Sequence, residues 1–222
     1  MDRLNRLDAT LQATCPIVAV PRYEPLAPLA QDGHRFLVGA DGVYLDLRRP
    51  WLRFTALTAA SAVPMPYGPV EPVAAFGFGS ELPLLLGRFI ERARDACPLE
   101  HAAWLMFDTV TRRLDYHEPP IDFGTVASIR YRRPAASASS LPAVDIHSHG
   151  RLPAFFSATD DRDDNDDAKL AVVFGNTNRT AVSVVARLVV AGLRIDYSEW
   201  ISEMLNDGGY PCFVPGVEPP VE

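Results

Sequence analysis

The sequence predicts an α/β protein with a central mixed β-sheet flanked by helices, preceded by a smaller β-rich region. Three observations predict it. Leu82, Leu85, Leu86, Phe89, Ile90 and Ala93 recur at helical spacing, with Arg88, Glu91, Arg92 and Arg94 on the opposite side. Runs of strand length follow, at 102–107, 143–147, 170–174 and 181–190, the first continuously apolar as expected of a buried central strand. The Pro/Gly-rich segment 63–79 separates them from what precedes and sets a boundary near residue 78, dividing 1–78 from 79–222.

In chain order, residues 1–30 are mixed. Val18-Ala19-Val20 reads as a short strand, and the prolines at 16, 21, 25 and 28 exclude anything long. Arg35–Val38 and Val43–Leu47 flank Gly39-Ala40-Asp41-Gly42, a hairpin signal, and Trp51–Phe54 adds a strand. Residues 63–79 read as a loop or linker. Ser80 is the expected N-cap of the helix that Cys97-Pro98 ends. Ala102–Phe107 is a buried central strand, and Arg113–His117 returns beside it. Val126–Tyr131 is a third strand, 134–140 an Ala/Ser loop, and Ala143–His147 a fourth strand. Leu170–Phe174 and Ala181–Val190 are strands about the turn Gly175–Asn178. Gly192 breaks the second before Leu193–Ile195, Ser198–Leu205 is a short helix, and a Pro/Gly-rich tail starts at Gly208.

Composition narrows the function classes. The chain has 222 residues, 48% hydrophobic and 22% charged, enough for a real core. Its net charge is −7 and it holds one lysine, Lys169, which argues against nucleic-acid binding through phosphate contacts. No run is long and apolar enough to span a bilayer, and the N-terminus lacks a signal-peptide core, so no membrane partner is expected. Cys15, Cys97 and Cys212 are far apart and lack CxxC spacing; a reducing, cytoplasmic setting fits.

Chemistry concentrates in Asp145–Asp160. On a strand, His147 and His149 project to one side and Ser148 to the other. Two imidazoles on one rigid strand end suit Zn2+, and Asp160, a carboxylate beyond a loop long enough to fold back, is the candidate third ligand. Three protein ligands leave the fourth position open, and such a site lowers the pKa of its water toward ~7. Ser157 lies three residues before Asp160 and shares its side of a helical turn, so its hydroxyl is a candidate donor to a developing oxyanion. Ser157-Ala158-Thr159-Asp160 also reads as a capping box, which does not forbid ligation. Glu100, at the junction between helix and buried strand, is the candidate general base; Glu118 and Asp115 sit at a hairpin tip and fit less well.

These residues match H-[ST]-H-x7-S-x2-D, the motif of the JAMM metalloproteases of the JAB/MPN family, which the chain resembles over roughly residues 80–195. The resemblance implies a cytidine-deaminase-like layout. It implies zinc on His147, His149 and Asp160, Glu100 as general base and acid, and Ser157 as stabiliser of the tetrahedral intermediate. It further implies hydrolysis of isopeptide or peptide bonds, often after the C-terminus of a ubiquitin-like protein. More narrowly, the N-terminal extension, the Asp-Ile-His-Ser-His-Gly form and the acidic run after the serine resemble the A proteins of the plasmid-associated bacterial PRTRC system. Its neighbourhood includes ubiquitin-like and E1-like proteins, which implies a ubiquitin-like partner. Two departures stand out. Gly150 replaces the usual proline, predicting a more mobile loop, and His101-Ala102-Ala103-Trp104 replaces the usual small residues and glycines after the glutamate. Two other function classes fit the same residues: a non-catalytic MPN-type binding or scaffold module, and a metal-dependent amidase acting on a small molecule.

The run Asp161–Asp167 lacks the glycine and the final glutamate of a calcium loop, and reads as a solvated acidic loop at the mouth of the site. His34, His101 and His117 have no partner spacing, and the cysteines have no activating neighbours in the motif region.

Overall fold

A computed structural model describes residues 5–126, 128–164 and 168–216. The chain divides into two compact units, Met1–Gly77 and Phe78–Glu222. No helix of the described residues is long and apolar enough to cross a membrane.

The first unit opens with α1 (Arg6–Thr14), a helix that proline and strand signals had left unread; the Asn5 side chain caps it by accepting from the Leu7 amide at 2.9 Å. Five strands follow, hydrogen-bonded in chain order: β1 (Ile17–Ala19), β2 (Gly33–Val38), β3 (Gly42–Arg49), β4 (Leu52–Ala60) and β5 (Val73–Phe76). The expected turn joins β2 to β3, with Val38 opposite Val43. The segment 63–79 is a loop only in part. Beyond its last proline before the break, Pro72, the apolar residues Val73–Phe76 add to β4 as an edge strand. Val20, Leu37 and Tyr44 form a core that Val18, Leu26 and Val70 cover.

The second unit begins with α2 (Leu82–Ala96). Its N-cap is Glu81, not Ser80, and makes no side-chain cap bond, because the Glu81 carboxylate instead accepts from Arg113 Nε at 2.6 Å. Then come β6 (Ala102–Asp108) and β7 (Leu114–His117). The strand expected over 126–131 is only β9 (Ile129–Tyr131). It pairs with β8 (Ile121–Gly124), which the sequence reading missed, in a separate two-stranded hairpin. Exposed at most positions, these two satisfy each other's backbone groups and stay off the main sheet.

β10 (Ser140–Ser148) delivers the histidines and is longer than the expected 143–147; the pairing with β6 shifts register between Pro142 and Val144, where a proline is tolerated. After α3 (Ala158–Asp163) come β11 (Ala168–Gly175), β12 (Val182–Val190), β13 (Leu193–Asp196), α4 (Ser198–Asp207) and β14 (Cys212–Phe213). The main sheet runs β13-β12-β11-β10-β6-β7, with β14 beside β12. β10 and β11 are parallel while their outer neighbours are antiparallel, so the sheet is mixed. A parallel pair demands a crossover, and here that crossover is the segment carrying Ser157 and Asp160.

Register sorts the two faces. Ala103, Leu105, Phe107, Val144, Ile146, Leu170, Val172, Phe174, Val184, Ala186 and Leu188 point one way and are buried. α2 and α4 pack there through residues such as Phe89, Ile90, Ile201 and Leu205, and the Phe89 and Phe174 rings stack at 5.5 Å. The alternate positions include Trp104, Asp145, His147, Lys169 and Arg187, so polar groups gather on the face opposite the helices. At about 25 cal/mol per Å² of apolar area, the helix-covered face drives folding and leaves the other free to carry charge.

Candidate metal centre

His147 and His149 stand at the end of β10, and their Nε2 atoms face each other at 3.2 Å. Asp160 Oδ1 lies 3.6 Å from His147 Nε2, and the three ligand atoms all fall within 4.8 Å of one another. Metal–nitrogen bonds of 2.0–2.1 Å in a tetrahedron set adjacent ligand atoms ~3.3 Å apart, so the spacing fits a small divalent ion of zinc's preference. The donor chemistry fits as well. Burial and the adjacent His147 push His149 down to about 4, despite an opposing pull from Asp160, so its ring is neutral at pH 7 as ligation requires. Asp160 is displaced in the opposite sense from what burial alone would do: His147 and two hydrogen bonds from Ser157 hold it ionised and below the usual carboxylate range.

Ser157 caps α3 in the full capping box that the sequence pattern allowed. Its hydroxyl donates to Asp160 Oδ2 at 2.7 Å, its amide donates to the same oxygen at 2.6 Å, and its oxygen accepts from the Asp160 amide at 3.3 Å. One carboxylate oxygen of Asp160 is thereby fixed by Ser157 and the other is turned toward His147.

Glu100 is 8% exposed and lines the same pocket, of about 720 Å³, as the three ligands. Strand register accounts for its position. His147 pairs with Ala102, and the Ser148 amide donates to the His101 carbonyl at 2.9 Å, so continuing the count sets Glu100 across from His149 on the same face. Burial, with the Asp160 charge adding to it, raises the Glu100 carboxyl from 4.5 to about 7, where it can exchange a proton near neutrality.

The loop after the histidines is held closely. Gly150 has φ +54°, and a Cβ there would come within 2.5 Å of the Pro98 carbonyl oxygen. Its own carbonyl accepts from the Thr177 amide (2.8 Å) and hydroxyl (3.1 Å). The departure from proline therefore serves a left-handed turn and close approach, and the expected loosening has no counterpart in these contacts. Phe155 covers His149, ring centroids 4.3 Å apart.

The acidic run differs from the solvated loop expected. Asp161 and Asp163 complete α3, while Asp164 is 2% exposed and held by two cations, Lys169 and Arg187. Residues 165–167 lie outside the described residues. Sequence reading also passed over Asp145, Tyr131, Lys169 and Arg187, all on or over the site face. The available signal was a lone lysine opening the apolar run 168–174, where a charge is costly without a partner. Glu118 pairs with Arg92 at 3.3 Å, away from the ligands, and the three cysteines are free.

Residues 84–188 match the family model for prokaryotic homologs of the JAB domain, and residues 5–77 match that for a domain of unknown function, DUF2016. The first match supports the JAMM/MPN family for the second unit and is compatible with a hydrolase. JAB domains often bind zinc, and the His147, His149, Asp160 set lies within the matched span. No curated protein matches the chain.

Proposed function

We propose that the second unit is a zinc-dependent isopeptidase or peptidase in which His147, His149 and Asp160 hold the metal. The observation that carries this reading is the convergence of those three ligand atoms on one point, beside a buried carboxyl raised to about 7. Zinc, when bound, would polarise the scissile carbonyl and acidify the attacking water. Glu100 takes the proton from that water and delivers it to the leaving amine. Ser157 fixes Asp160 and, on rotating its hydroxyl away from Oδ2, donates to the oxyanion. The pocket wall formed by Phe123, Ile129, Leu152 and Phe155 gives an extended chain an apolar surface, and the neighbouring Arg130 and Arg133 suit a substrate with acidic or carbonyl-rich character.

The substrate class follows the narrower resemblance: a ubiquitin-like protein or its conjugates in a plasmid-associated PRTRC-type bacterial system. The N-terminal extension, the Asp-Ile-His-Ser-His-Gly form and the acidic run support it. Free, widely separated cysteines support a reducing, cytoplasmic setting. The same reading carries a cytidine-deaminase-like layout for the second unit, supported by a mixed sheet with helices on the face opposite the site.

The test is hydrolysis of a ubiquitin-like fusion by the full chain, with and without chelator, for the native protein and Glu100→Gln. Chelator-sensitive cleavage that falls at least ~10²-fold in Glu100→Gln is the expected result. Cleavage that survives in Glu100→Gln would remove Glu100 as base. A zinc-loaded protein, one ion per chain, that cleaves nothing would turn the reading to a non-catalytic binding module.

A further inference from the structure

The single lysine of the chain is buried beside the metal ligands. Lys169 is 4% exposed; its Nζ donates to Asp145 Oδ2 at 2.6 Å and reaches Asp164 Oδ1 at 2.9 Å. Asp145 sits two residues before His147 on β10, and the Tyr131 hydroxyl donates to its other oxygen at 2.7 Å. Asp164 is the C-cap residue of α3. Arg187, on β12, continues the chain of contacts. It donates to Asp164 through Nε at 2.8 Å and to Asp161 through Nη1 at 2.7 Å, and its guanidinium lies 3.8 Å from the Phe156 ring centroid. Ser157 and Asp160 are thus bracketed by groups that Arg187 holds: Phe156 before them, Asp161 and Asp164 after.

α3 has six residues and buries none of them. So short a helix is unstable alone, and no apolar side chain of its own docks it on the sheet. Two buried cations and their carboxylates therefore do what hydrophobic contacts do for α2 and α4. Such networks add little net stability relative to apolar packing but fix geometry. A metal centre needs its ligands held within about 0.5 Å of the productive arrangement.

We infer that Lys169 and Arg187 are positioning residues of the metal centre: Lys169 ties the helix that carries Asp160 to the strand that delivers His147 and His149, and Arg187 ties it to β12. This rests on the zinc reading above. Neither side chain touches the ligands; each acts through Asp145, Asp161 or Asp164.

The test measures zinc affinity of the full chain by chelator competition, together with the visible spectrum of the cobalt(II)-loaded protein. Lys169→Met alone leaves the Asp145 carboxylate without its cation, while Asp164 keeps Arg187, and endangers folding. The charge-balanced pair Lys169→Met with Asp145→Asn relieves that while keeping the tie cut. The pair, folded by circular dichroism, is expected to bind zinc 10- to 100-fold more weakly and to give an altered cobalt band. A role limited to neutralising charge would instead return affinity and spectrum to normal in the pair, and that result overturns the inference. Should neither Lys169 variant fold, Asp161→Asn carries the test. Its carboxylate is 46% exposed, and the change weakens the Arg187 Nη1 tie together with a longer Arg194 contact at 3.6 Å. A loss of about tenfold is expected, and unchanged affinity overturns the inference. A native protein that takes up neither metal removes the zinc reading itself, and this inference with it.

Discussion

At the scale of single residues, Glu100 and Ser157 are the positions where stability and chemistry separate. The Glu100 carboxyl is raised from 4.5 to about 7, by burial first and by Asp160 second. The folded state therefore holds this proton more tightly than the unfolded chain. Its contribution to stability is complete below 4.5 and is lost as pH rises to 7. Glu100→Gln abolishes that loss. In chelated protein the variant is expected to be more stable than the native chain at pH 8, by about 1–2 kcal/mol once solvent screening in the open pocket is allowed for, and equal to it near pH 4. Thermal melts at the two pH values check this; equal melting at pH 8 contradicts it. Ser157→Ala removes a cap, at a cost of about 1 kcal/mol. If the hydroxyl also serves the oxyanion, kcat falls 10²- to 10³-fold while KM holds. A small stability loss with full kcat would confine Ser157 to orienting Asp160.

At the scale of elements, legibility in the sequence followed the density of apolar burial. α2, β6, β11 and β12 were readable because each has a continuous or periodic apolar pattern that the fold uses. The elements missed or misplaced lack one. α1 buries none of its residues, the β8–β9 hairpin is mostly exposed, and β5 adds as an edge strand within a proline-rich segment. The His147, His149, Ser157 and Asp160 spacing was legible because the crossover between parallel strands keeps these groups within fourteen residues. The ties of Lys169 to Asp145 and of Arg187 to Asp161 and Asp164 were not, because charge pairing across 23 or more positions leaves no local pattern. One element-level contact is directly testable. A Cβ on Gly87 of α2 would lie 2.0 Å from the Tyr210 ring. Gly87→Ala gains up to ~1 kcal/mol of helix propensity, yet the overpacking is expected to leave it destabilised by about 1–2 kcal/mol. Tyr210→Ala should reverse the sign of the Gly87→Ala effect. A stabilising Gly87→Ala in the native background would show that the ring yields freely.

At the scale of the molecule, the second unit packs α2 and α4 on one sheet face and gathers its buried charges, among Trp104, Val173 and Val189, on the other. The charged face concentrates unlike charges around one small region, where three ligands and a network of buried ion pairs share the same strands. Zinc should therefore act as a structural staple for the crossover. Saturating zinc at 100 times Kd is expected to add about 2.7 kcal/mol to stability, read as a melting shift that chelator reverses. Among the described residues, the three ligand side chains all lie in the second of the two units, 78–222. The measurement that bears most directly on the whole account is zinc content per chain after dialysis, for the native protein and for the His147→Ala, His149→Ala double variant. One ion per native chain and none in the variant is the predicted result. Stoichiometric zinc retained by the variant would contradict the centre described here.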